Sequence, residues 1–343
     1  MSRHHAAPIA MNQPVDPDVL SSAPAEPPPH EGSRDSSTLA APQPSFPERI
    51  FRDADGVRLG WRLFLFFALT FAVARMLGWL GQSFFVDPLR GGLRLWQEFY
   101  EEAISLAGVG VAALALARLE NRPVDVYGLP RRQAFGTKFW AGAVWGFGGI
   151  SALLLLMHTV HVFDFGDIVL HGPRVLRFAA FWGAYFVLVG LFEEFLFRGY
   201  FQFALSERAG FWPTAILGSM MFGGVHLLNT DENAAGAFGA GLIGLFLCFT
   251  LLRTGTLWFA VGFHAAWDWG ETFLYAVPNS GTTEPGHLLS PTLRGPTWLT
   301  GGIVGPEASA LLLIVMAALW VAFDRTHRVA RYPVVIAPKH HQV

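Results

Sequence analysis

From about residue 60 onward the chain returns again and again to apolar blocks long enough to cross a bilayer. A hydrocarbon core about 30 Å thick needs about 20 apolar residues in a helix, and a backbone surrounded by lipid has to bond to itself. Eight blocks are centred on 63–80, 103–119, 139–157, 178–197, 212–226, 235–252, 257–273 and 308–323. The fifth and seventh are short and interrupted by glycine. The expected fold class is all-α, a polytopic membrane helix bundle of about eight transmembrane helices, with no internal repeat. Composition agrees: hydrophobic residues make up 52% and charged residues 15%, where soluble domains carry about a quarter charged residues. A net charge of −2 gives no basis for a nucleic-acid partner; the lipid bilayer is the expected one. The single cysteine, Cys248, excludes a disulfide framework and a CxxC metal site, so any metal would be held by His, Asp or Glu.

Four segments follow. Residues 1–48 are rich in Pro, Ala and Ser, bury too little to offset their ordering entropy, and are expected to be a disordered tail without the apolar core of a signal peptide. Residues 49–175 carry the N-terminal transmembrane helices, 176–273 the core that holds the chemistry, and 274–343 a Gly/Pro-rich extracytoplasmic loop, the last helix and a basic tail. Arginines cluster before the first block, between the second and third (with Lys138), and after the fourth, sixth and eighth. With eight crossings these fall on one side, which puts both termini in the cytoplasm and the protein in the plasma membrane. Arg90, Arg94, Arg174, Arg177 and Arg294 run against that bias.

Polar residues inside apolar blocks are costly unless paired or bound to a cation. In "GLFEEFLFRGYF", Glu194 and Arg198 are four apart and share a helix face, while Glu193 is turned about 140° from Arg198. "MMFGGVHLLN" places Phe222 and His226 four apart, and "GFHAAWDWGE" does the same for His264 and Asp268. Each set alone has an ordinary structural explanation: carboxylates at a span's wet end, a core histidine, a buried His–Asp bond. Together they bring two histidines and spare carboxylates into adjacent apolar helices. Those are the side chains that hold zinc with an open position for water, or that polarise a water directly. On this reading Glu194 is held by Arg198, and Glu193 faces a metal or a polarised water with His226, His264 and Asp268.

The stretches "EEFLFR", "FGGVH" and "HAAWD" resemble, in order, the EExxxR, FxxxH and HxxxN/D motifs of the CPBP family, the CAAX prenyl proteases and bacteriocin-processing enzymes also called Abi. The resemblance covers about 176–273. It implies an intramembrane endopeptidase, a hydrolase acting on a membrane-associated or prenylated-type peptide or protein. By motif position, Glu193 and Glu194 are the catalytic glutamates, and Glu193 activates water with His226. His264 and Asp268 stabilise the oxyanion or help hold a metal, and Arg198 and Phe222 support the site. Asp268 stands where many members have asparagine. Aspartate is the better cation ligand, which favours a divalent metal, zinc, on His226, His264 and Asp268. The alternative from another class is a non-catalytic membrane scaffold, immunity or transport-related protein that keeps the cluster for structure.

Overall fold

The computed structural model describes residues 51–53, 56–82 and 93–332. The expected disordered tail and the last eleven residues lie outside them. A two-residue strand pair, β1 (Arg52–Asp53) and β2 (Gly56–Val57), precedes the helices α1 (Leu59–Gly81), α2 (Leu93–Leu119) and α3 (Thr137–Thr159). Strand β3 (Phe163–Ile168) leads to α4 (Pro173–Glu194), which passes through a π-helical turn, Phe195–Tyr200, into α5 (Phe201–Ala209). Then come α6 (Phe211–His226), α7 (Ala234–Thr254) and α8 (Trp258–Trp269), the last continued by a second π turn, Gly270–Tyr275. Strand β4 (Leu289–Leu293), the short helix α9 (Thr297–Thr300) and α10 (Leu311–Thr326) complete the described chain.

All eight apolar blocks are helical, and the molecule is a helical membrane bundle. Among the described residues five helices, where about eight spans are expected from the sequence, are long and apolar enough to cross a membrane: Leu59–Gly81, Leu95–Leu119, Thr137–Thr159, Pro173–Ala209 and Ala234–Thr254. The fourth block runs further than its expected end at Phe197. Gly199 takes a non-helical backbone (φ −81°, ψ −110°) that absorbs the extra residue of the π turn, so the helix bends there and continues to Ala209. The Gly/Pro-rich loop contributes a strand. Its β4 pairs antiparallel with β3, Phe163 opposite Leu293, with a bulge at Gly166/Asp167.

Helix α8 is central. Most of its residues are buried, Asp268 among them. It lies directly against α3 because glycines meet there. A Cβ on Gly142 or Gly146 would stand 2.0 Å from the carbonyl oxygen of Phe259 or Phe263, and one on Gly262 2.0 Å from that of Phe139. Small residues of this kind let helix backbones touch in lipid, where no hydrophobic force separates helix from solvent. Elsewhere a polar cluster ties α1, α2 and α5. Arg62, 9% exposed, donates from Nε to Glu120 Oε1 (2.8 Å) and from Nη1 to Glu207 Oε2 (3.2 Å), while the hydroxyls of Tyr127 and Tyr200 also donate to Glu120.

Candidate active site

The last turn of α4, the last turn of α6 and the middle of α8 face one cavity of about 370 Å³. Glu193, Phe222, His226, His264 and Asp268 all line it. Glu194 does not. The sequence counts it among the catalytic carboxylates, but it is 0% exposed and lies behind the cavity wall. Neighbouring residues on a helix point about 100° apart, so only one of two adjacent glutamates can face the opening.

Glu194 instead organises its surroundings. Its Oε1 accepts from Arg198 Nη1 at 3.0 Å and from His264 Nδ1 at 2.9 Å. Arg198, 1% exposed, lies over the Phe222 ring at 4.1 Å. Gly244 of α7 leaves room for it: a Cβ there would stand 2.3 Å from Arg198 Nη2. Glu194, Arg198 and Phe222 thus form one buried stack behind the cavity.

His264 is held on both sides. With its Nδ1 proton donated to Glu194, its Nε2 faces Asp268 Oδ2 at 3.4 Å and Glu193 Oε2 at 3.6 Å. The Glu193 side chain is 25% exposed, the more open of the two glutamates. His226 donates Nδ1–H to the Phe222 carbonyl at 2.7 Å, which fixes its tautomer and leaves Nε2 as an acceptor. The Phe222 ring packs edge-on against both imidazoles, 4.6 Å from His226 and 6.2 Å from His264. Beyond α6, Asn229 Nδ2 donates to the Ser280 carbonyl at 3.0 Å, joining two loops at the cavity rim.

His226, His264 and Asp268, the residues expected to hold a metal, all line the cavity. Among the described residues, no three His, Cys, Asp or Glu side chains are grouped so that they could hold a metal ion. His264 Nδ1 is bonded to Glu194 and His226 Nδ1 to its own helix, which leaves the Nε2 atom of each ring on the cavity side.

Sequence reasoning missed five carboxylates: Glu271, and Glu98, Glu102, Glu284 and Glu307 of the cavity lining. Glu271 follows Asp268 by three residues inside the quoted "GFHAAWDWGE"; it is 0% exposed and neither oxygen has a hydrogen bond. The cost argument applied to Glu193 would have found it. Glu102 of α2 and Glu307, just ahead of α10, also line the cavity but lie outside the three motifs, and only the fold brings them in. Burial, then the nearby Asp268, pushes the Glu307 carboxyl up, while the Ser280 hydroxyl opposes the shift.

Residues 174–270 match the family model described as Type II CAAX prenyl endopeptidase Rce1-like. No curated protein and no solved structure matches the chain. The matched segment contains all three motifs and every side chain around His264 named above. Over residues 174–270 the chain is thus similar to the CPBP, or CAAX protease, family of membrane peptidases.

Proposed function

We propose that the protein is an intramembrane endopeptidase in which Glu193 activates water for attack on a peptide bond of a membrane-associated substrate. The observation that carries this is the bracketing of His264: one buried glutamate fixes its Nδ1, and two cavity-lining carboxylates face its Nε2. Such a device orients a base and a polarised water, and a purely structural cluster has no need of the second glutamate.

The roles divide as follows. Glu193 takes a proton from water as the oxygen attacks the carbonyl carbon, and returns it to the amide nitrogen as the C–N bond breaks. His226 Nε2, an acceptor because Nδ1 carries the proton, orients the attacking water. His264, carrying a second proton on Nε2 between Asp268 and Glu193, holds Glu193 in place. Glu194 and Arg198 position His264 and do not touch substrate. No step is routed through a cation.

The test is cleavage of a peptide library in proteoliposomes by wild type and Glu193→Gln, with metal content measured in parallel. Glu193→Gln keeps side-chain volume and removes the base, so kcat should fall by about 100- to 10,000-fold while the protein stays folded. Equal cleavage by both would remove Glu193 from the mechanism. Stoichiometric metal in wild type and its loss in His264→Ala would replace the metal-free scheme. No cleavage by wild type would favour the scaffold reading.

A further inference from the structure

Carboxylates dominate the cavity lining, with His226 and His264 as the basic side chains among them. Six carboxylate side chains line it: Glu98 and Glu102 on α2, Glu193 on α4, Asp268 on α8, and Glu284 and Glu307 from the chain after α8. Among the described residues no lysine or arginine lines it. Asp268 is 7% exposed and Glu307 6%. Asp268 Oδ2 faces His264 Nε2 at 3.4 Å, and Glu307 Oε2 accepts from Ser280 Oγ at 2.7 Å. Glu102 Oε2 is buried without a hydrogen bond. A buried carboxyl group without a counter-charge or donor is costly, and the cost falls when a cation arrives. Aromatic side chains stand among the carboxylates, with Trp182, Tyr185 and Phe222 in the same wall, and ring faces attract ammonium and guanidinium groups.

We infer that this cavity receives a peptide carrying a lysine or arginine side chain close to the bond that is cut, and disfavours an acidic residue there. The inference rests on the reading of the cavity as a peptidase site. A cleft lined by one sign of charge with low-dielectric walls concentrates the opposite charge, and like charges brought together are rejected. A basic side chain has the reach to place its charge among the outer carboxylates while the backbone lies at Glu193. A bare divalent metal is the other cation to consider, but the carboxylates are spread along the cavity and no three are grouped as ligands.

The experiment uses the full chain in detergent micelles and one capped peptide framework, with Lys, Arg, norleucine or Glu placed at successive positions. Binding is read on Glu193→Gln from tryptophan fluorescence, and cleavage on wild type. At the best position, the Lys and Arg peptides should bind at least about tenfold tighter than norleucine, with Glu weakest. The double variant Glu98→Gln/Glu102→Gln should shrink that ratio at least about threefold, through KM rather than kcat; Glu307→Gln is the second variant should the first not fold. Equal binding across the series, or tighter binding of Glu, overturns the inference. So does a preference unchanged in both variants, because recognition would then lie outside the cavity. Charge-selective binding without cleavage would defeat the peptidase reading and uphold this one, and cleavage without charge preference would do the reverse.

Discussion

Glu194 and Arg198 show how two adjacent glutamates acquire different work. The buried Glu194 serves two donors, Arg198 and His264, from a single oxygen. Arg198→Ala would strand that carboxylate and cost roughly 3–5 kcal/mol, the usual penalty for breaking a buried pair from one side. Lower folded yield and an earlier thermal transition in detergent should accompany the loss of activity. A variant as stable as wild type but inactive would instead put Arg198 in contact with substrate. The i,i+4 spacing made this pair legible in the sequence, and the wheel angle separated Glu193 from it. That His264 would also lean on Glu194 was not legible, because the partners are 70 residues apart and only the docking of α8 on α4 brings them together. The acidic lining from Glu98, Glu102 and Glu307 was hidden for the same reason.

At the scale of elements, the contact between α3 and α8 rests on backbone meeting backbone. Gly146→Ala or Gly262→Ala would drive a methyl group into a carbonyl oxygen 2.0 Å away, and the helices would have to part. Overpacking of this kind costs about 1–3 kcal/mol, and displacement of α8 should lower activity further because His264 and Asp268 ride on it. Gly148→Ala on α3 meets nothing within 4 Å and should leave yield and melting temperature unchanged. Equal effects at Gly146 and Gly148 would mean that helix propensity, not contact, governs. Hydropathy located these helices to within a few residues, since block length and apolarity survive any packing. It missed the π turn after Glu194, whose signal is one glycine, and the β3–β4 pair, in which Phe163 meets Leu293 only in the folded chain.

For the whole molecule, the arginine distribution implies an orientation that reporter fusions can read. Fusions after Arg132 and after Arg253 should report cytoplasm, and one at Thr283 the opposite side. Cytoplasmic signal at Thr283 would sink the eight-crossing arrangement. The broad architecture was legible because apolar block and charged loop are one-dimensional signals, whereas the cavity is not: its walls come from α2, α4, α6, α7, α8 and the loops beyond. The glycine contact beneath His264 and Asp268 also bears on how such a cavity is entered. A helix locked backbone to backbone is the fixed jaw of a vice. It has no side-chain cushion to compress and no room to slide. Any widening of the cavity is left to the opposite rim, where the loops after α6 and α8 are joined by a bond from Asn229 to Ser280.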